Sequence, residues 1–242
     1  MERRRGPIPG NRLQVNGAVV LISGGMDSTV LLHHLVKDHG RTPIRAIGFD
    51  YGQRHVRELE CAKYQAGLVG VAEFRVIDLR FFGGLVSAGT ALVEGGGEVP
   101  DMDSLLASQL AQPPTYVPNR NMMLLSIAAA YAEAQGIVDV YYGAQAHDEY
   151  GYWDCTPEFL KCINRVLALN RREPVSIHAP LIGKRKAELV TMGGRLGVDL
   201  ANTWSCYRGG EMACGTCPTC AERLKAFAEA GVPDPQPYAR LE

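Results

Sequence analysis

The run VVLISGGMDSTVLLHHL, residues 19 to 35, is apolar up to Ser23-Gly24-Gly25 and then resumes at once with helical spacing. A strand that opens into a helix through a glycine turn leaves the N–H groups of the first helical turn free, where the helix dipole favours negative charge. Gly24 and Gly25 let the main chain approach a ligand, and Ser23, Ser28 and Thr29 add hydroxyl donors around the same concavity. This chemistry favours phosphate. Neither common nucleotide loop fits: the glycines do not space as G-x-G-x-x-G, and Thr29 stands where G-x-x-x-x-G-K-S/T requires its second glycine. Asp27 is the unusual member, since a carboxylate repels phosphate unless it caps the helix or reaches a magnesium ion.

Short apolar runs then alternate with helix-like segments. AVVLIS, IRAIGFD, FRVIDL and VDVYYGA read as strands, and helices are expected over about 27–39, 57–69 and 121–135. PEFLKCINRVLALN and KRKAELVTMGGRL are two further helices, with PVSIH between them. Such alternation implies an α/β fold, a doubly wound parallel sheet with helices on both faces. Ligands of these sheets sit beyond the carboxyl ends of the strands, near the point where strand order reverses. The polar sequences fall there: Ser23 after the first strand, DYGQRH from Asp50 after the second, and GAQAHDEYGYWDC from Gly143 after the fourth. Residues 80 to 118, with Gly83, Gly84 and Gly95-Gly96-Gly97, read as a lid or irregular insertion.

This organisation gives a mobile leader over 1–16, an α/β domain over 17–200 and a C-terminal element over 201–242. With 46% hydrophobic and 21% charged residues among 242, the chain has material for one large core plus an appendage. A net charge of −1 leaves no electrostatic footprint for long nucleic acid. No apolar run approaches the roughly 20 residues of a membrane span, and the basic start lacks an apolar signal region, so a cytoplasmic location is expected.

Four of the seven cysteines crowd into CYRGGEMACGTCPTC as Cys206, Cys214, Cys217 and Cys220. Two overlapping C-x-x-C steps in a Gly- and Pro-bearing loop suit a tetrahedral zinc site, and AERLKAFAEAG supplies a helix to anchor it. Four thiolates leave no position open for substrate, so one structural zinc ion per chain is expected. Cys61, Cys155 and Cys162 remain over, and His33 and His34 have no partner motif.

SGGMDS, FDYGQRH, VPNRN, APLIGKRK and WSCY, with three more cysteines, together resemble the 7-cyano-7-deazaguanine synthases, a branch of the ATP-pyrophosphatases with an S-G-G-x-D-S loop. The resemblance spans about residues 18 to 228. It implies an adenine nucleotide α-hydrolase-like fold, a homodimer, and a loop that holds the pyrophosphate end of ATP. It further implies adenylation of a deazaguanine carboxylate, displacement of AMP by ammonia to give an amide, then a second activation and dehydration to a nitrile. Ile22, Ser23, Gly24, Gly25, Asp27, Ser28, Thr29 and Asp50 would contact ATP with its Mg2+. Lys186, Arg120 and Asp148 would be catalytic, and Gln53, Arg54, His55, Tyr152 and Asp154 would contact the acid.

HDEYGYWDC stands where that family usually has Asp-Tyr-Ser-Gly-Tyr-Pro-Asp-Cys, which makes Glu149 and Trp153 departures, and Asn119 stands where a smaller residue is common. Other readings stay open at this level: a relative acting on another acid or stopping at the amide, a tRNA-thiolation adenylating enzyme, and a nucleotide sensor with a zinc knot. No glutaminase domain fits beside the ligase fold, so ammonia would be supplied free or by a partner.

Overall fold

A computed structural model describes residues 17–105, 112–145 and 152–239. The expected leader over 1–16, and Asp148 and Glu149, lie outside the described residues. Five parallel strands, β1 (Ala18–Leu21), β2 (Ile44–Asp50), β3 (Glu73–Asp78), β4 (Asp139–Tyr141) and β5 (Ser176–His178), form one sheet in the order β3-β2-β1-β4-β5. Successive side chains of a strand point to opposite faces, and both faces here are apolar. Val19, Ile47, Phe49 and Val140 face one layer, while Ala18, Val20, Ile22 and Ala46 face the other.

The helices follow from where each apolar stripe can be buried. On the first face lie α4 (Arg120–Gln135), through Leu125, Ala128, Ala129 and Ala132, and α5 (Pro157–Leu167), through Phe159. On the second lie α1 (Met26–Lys37), α2 (Arg57–Val69) and α6 (Lys186–Leu196), through Leu31, Leu32, Leu35, Ala62 and Leu189. The edge strand β5 is satisfied by a side chain: Asn164 of α5 donates to the Ile177 carbonyl and accepts from the Ile177 N–H, both at 2.8 Å.

Two boundaries differ from the sequence expectation. Helix α1 begins at Met26 and ends at Lys37, with Gly25 as a cap that uses no side chain, so Asp27 sits inside the first turn and caps nothing. Residues 80 to 118 are less irregular than their glycines suggest: α3 (Arg80–Val86) opens the segment, and 3-10 turns cover Ser87–Gly89 and Met102–Ser104. Asp78 accepts from the Arg80 N–H at 3.0 Å and starts that helix, and Gly83 packs so closely on the Tyr51 carbonyl that a Cβ would collide with it.

The C-terminal segment is continuous with the first core layer, to which it adds Trp204, Cys206, Ala213, Cys217 and Cys220. Its helix α7 (Pro218–Glu229) packs on α6. Arg223, fully buried, locks it in place by a two-pronged pair with Asp234 at 2.8 and 3.0 Å and by bonds to Thr203 and the Leu200 carbonyl. Among the described residues no helix is long and apolar enough to cross a membrane.

Candidate active site

Strand order reverses between β1 and β4, and a cavity of about 270 Å³ opens at their carboxyl ends. The turn after β1 forms its floor. Ser23 and Ser28 hydroxyls meet at 3.1 Å, Ser28 Oγ accepts from the Ser23 N–H at 3.2 Å, and Ser23 Oγ accepts from the Gly25 N–H at 3.2 Å. The N–H of Thr29 is the first of α1 to find an intrahelical acceptor, the Gly25 carbonyl, which leaves the earlier turn for a ligand. Gly143, after β4, lies so near that a Cβ would come within 3.1 Å of Ser28 N and Cα, which brings the β4 loop against the β1 turn.

Ile22, Ser23, Gly25, Asp27 and Ser28 line this cavity, whereas Gly24, Thr29 and Asp50 do not. Gly24 has a φ of 90°, and a Cβ there would strike the Glu58 carbonyl, so its glycine serves both the turn and the packing of α2. Thr29 is fully buried in α1 with no partner for its hydroxyl. Asp50 accepts from the Gly52 N–H at 3.1 Å and closes the turn after β2.

The expected acid contacts divide in the same way. Gln53 is fully buried, bonded to Tyr51 N, Phe49 O and Glu58 Oε1, and Arg54 is bonded to the carbonyls of Val93, Gly96 and Gly97. Both side chains brace the β2 loop and stand outside the cavity wall. His55 lines it, with Nε2 3.2 Å from Glu58 Oε2 and Nδ1 buried without a partner. Tyr152 lines it and bonds Thr115 at 2.7 Å. Asp154 lies behind the wall: its Oδ2 accepts from the Asn121 N–H at the start of α4 at 3.2 Å. Burial raises its pKa, while Arg120 and that N–H oppose the rise.

Arg120 and Lys186 both reach the cavity. The Arg120 guanidinium lies 3.4 Å from the Tyr51 hydroxyl and from Asn121 Oδ1. Lys186, the first residue of α6, places Nζ 2.9 Å from Glu222 and 3.9 Å from Asp27. The departures at 119 and 153 have structural reasons. Asn119 has a φ of 55°, a left-handed conformation that asparagine tolerates better than most residues. Trp153 does not line the cavity; it donates to the Tyr116 hydroxyl at 2.8 Å and meets Phe159 edge-on.

Sequence reasoning named the segment after β4 and the WSCY motif but missed Tyr142, Gln145 and Tyr207 as individual wall residues, and it gave Glu58, Thr219 and Glu222 no role. Among the described residues, eight buried side-chain atoms lack a hydrogen-bond partner, and four of them belong to wall residues: Asp27 Oδ1, His55 Nδ1, Tyr142 Oη and Gln145 Oε1. An unsatisfied buried polar group costs about 1–3 kcal/mol. Such a concentration suits a surface whose polar groups meet water or a polar ligand.

Beside the cavity, the sulfur atoms of Cys206, Cys214, Cys217 and Cys220 lie within 4.8 Å of one another, three of the residues being buried. Backbone N–H groups of Cys214 and Cys217 point at the sulfurs of Cys206 and Cys214, at 3.4 and 3.3 Å, an arrangement that favours thiolates. Four converging soft ligands form a closed donor set for a metal ion.

Residues 17–231 match the model of the family described as queuosine biosynthesis protein QueC. A 7-cyano-7-deazaguanine synthase of Nostoc sp. is 43% identical over 232 residues, covering 93% of this chain and 98% of its own length. One of Clostridium kluyveri is 42% identical over 229 residues, covering 91% and 97%. An NMN synthetase from Francisella tularensis has a similar fold, with a TM-score of 0.50 at 13% identity over 90% of this chain and 78% of that one. A match that runs from β1 through the four cysteines, together with relatives of the same length, shows that this chain is an enzyme of the queuosine biosynthesis protein QueC family.

Proposed function

We propose that this enzyme is itself a 7-cyano-7-deazaguanine synthase, an ATP-dependent ligase that converts 7-carboxy-7-deazaguanine and ammonia to the nitrile through adenylated acid and amide intermediates. The observation that carries this reading is the meeting of the Ser23–Ser28 turn, Lys186 and Arg120 on one cavity in a chain with these relatives.

In this reading the first turn of α1 and the Ser23 and Ser28 hydroxyls hold the pyrophosphate end of ATP. The acid oxygen attacks the α-phosphorus and pyrophosphate leaves. Ammonia displaces AMP to give the amide, whose oxygen attacks a second ATP in the same way. Loss of AMP and a proton then leaves the nitrile. The protein's part is to aim one oxygen at one phosphorus and to stabilise the charge that develops, Lys186 at the phosphates and Arg120 toward the acid. Tyr142 Oη and His55 Nδ1, both unpartnered in the wall, would bond the acid and its base.

Asp27 suits the Mg2+ that accompanies ATP, because its Oδ1 is buried without a partner and its charge otherwise opposes phosphate. That ion neutralises phosphate charge when bound. Zinc fits the four cysteines, and its role is to fix the fold of the C-terminal segment. A cytoplasmic homodimer belongs to the same reading, and the exposed Phe81, Leu85 and Val76, on α3 and the edge strand β3, are apolar surface that a second copy would cover.

The test is mass spectrometry of the products formed from ATP, ammonium and 7-carboxy-7-deazaguanine. The nitrile with two AMP per molecule is expected. Accumulation of the amide with ATP in excess would make the protein an amide-forming relative, and no AMP at all would overturn the substrate.

A further inference from the structure

The contact that the proposed mechanism leaves unused is Glu222. Its carboxylate lies 2.9 Å from the Lys186 ammonium, well inside the 3.9 Å that separates the lysine from Asp27. The side chains of Lys186 and Glu222 are 19% and 18% exposed, so the pair is shielded enough to hold a direction. Glu222 lies on α7, whose N-terminal turn carries two of the four clustered cysteines.

Residues three apart on a helix share a face. Cys217 and Cys220 therefore turn one way, toward Cys206 and Cys214, while Thr219 and Glu222 turn another and line the cavity. The strand of chain leading into the cluster makes a parallel connection, because the Trp204 N–H donates to the Gly24 carbonyl at 2.9 Å and Thr219 Oγ1 donates to the Ser205 carbonyl. The cysteine-bearing segment thus touches the phosphate turn twice, once through the main chain and once through Lys186.

A carboxylate in that position is costly for nucleotide binding. Asp27 and Glu222 together place two negative charges around one ammonium, beside the turn that would receive a triphosphate. Charge attraction to the ligand gives Glu222 no place there. Orientation does: lysine is a compact charge on a flexible four-carbon stem, and a fixed acceptor removes the freedom that its stem would otherwise keep.

We propose that Glu222 is a positioning residue, which aims the Lys186 ammonium at the phosphate turn and ties that aim to the four-cysteine cluster through one turn of α7. The assignment rests on the reading of the Ser23–Ser28 turn as an ATP site. It predicts an unusual pair of effects for Glu222→Gln, which keeps the shape and loses the charge: ATP binds more tightly, because a repelling carboxylate is gone, and turnover falls by roughly tenfold or more, because the lysine has lost its aim.

The experiment uses the full-length, metal-loaded protein. Binding of α,β-methylene ATP is measured by calorimetry, KM and kcat by pyrophosphate release with 7-carboxy-7-deazaguanine and ammonium, and metal content by elemental analysis. The expected result is lower Kd and KM for nucleotide, lower kcat and unchanged metal content. Adding Glu222→Gln to Lys186→Met should then cause no further loss of kcat, since Glu222 acts on turnover only through Lys186. Unchanged kcat in Glu222→Gln, additive losses in the double variant, or a fall in metal content that accounts for the lost turnover would each overturn the proposal. If the wild-type protein releases no pyrophosphate with this acid, the substrate reading fails by itself. The comparison of analogue binding then still decides, and equal or weaker binding to Glu222→Gln overturns the role of Glu222.

Discussion

His33, without a motif in the sequence, has a definite role in the folded chain. Gln65 donates its amide N–H groups to the Asp199 and Asn202 carbonyls at 2.8 and 2.9 Å, so its oxygen faces His33 Nε2 at 3.0 Å and requires that nitrogen to carry the proton. The bond ties α1 to α2, and through Gln65 to the turn before Trp204. The other ring nitrogen is buried without a partner. Burial holds the pKa below the usual histidine value, the Gln65 bond opposes the shift, and Lys37 adds to it. The sign follows: the unfolded chain takes up a proton near pH 6.5 that the folded chain resists, so stability is full above about pH 6.5 and falls as pH drops below it. Urea unfolding at about pH 7.5 and about pH 5.5 should show this loss in the wild type, with a smaller loss in His33→Gln. An equal loss in both would assign the pH dependence to other groups. Gln53 and Arg54 carry the opposite lesson. They stand beside His55 in one motif, yet the turn after β2 directs Tyr51 and His55 into the cavity and spends Gln53 and Arg54 on main-chain carbonyls. Spacing in a motif shows that residues act together, but not which of them meets the ligand.

Helix α7 and the loop before it form the element on which both the metal donors and part of the cavity wall depend. Cys217 is fully buried and caps the helix, so replacing its sulfur with a hard hydroxyl should weaken the tetrahedral donor set and loosen the start of α7 together. Cys217→Ser is expected to lower zinc per chain by elemental analysis and to lower the soluble yield. Full metal content with full activity would show that the Cys217 sulfur is dispensable to the cluster. Elements of this kind were legible because their chemistry is local: four cysteines within 15 residues, or an apolar period that fits one face of a helix. The strands were legible for the same reason, since β1, β2 and β4 are apolar on both faces. Helix α3 was not, because Gly83 and Gly84 read as breakers. The structure shows that Gly83 is there for close approach to Tyr51, and the Asp78 carboxylate supplies a start signal that lies inside the preceding strand.

At the scale of the molecule, the sheet order decides what meets what. Reversal between β1 and β4 brings residues 23–28 against Gly143, and α6 and α7 then deliver Lys186 and Glu222 from more than 150 residues away. No local pattern contains that convergence, which is why Glu222 and Thr219 were invisible while the turn itself was plain. The same convergence constrains the reaction. The sequence has one S-G-G-x-D-S run, and the described residues place Asp27, Lys186 and Arg120 on one cavity, so both proposed activations must use the same turn. In the proposed reaction the acid and the amide would present an oxygen to the α-phosphorus from the same base, and groups that hold phosphate would not tell them apart. Asp27→Ala should therefore slow AMP formation from 7-carboxy-7-deazaguanine and from the isolated amide by similar factors, each on the order of a hundredfold or more. Its fold should survive, because Asp27 caps nothing and has only the distant Lys186 pair among its described contacts. In the wild type the amide should rise first and the nitrile follow with a second AMP. Quenched time courses with both starting compounds make the comparison. A variant that blocks the acid step while leaving the amide step intact would require a second activating site, and one shared cavity could no longer account for the reaction.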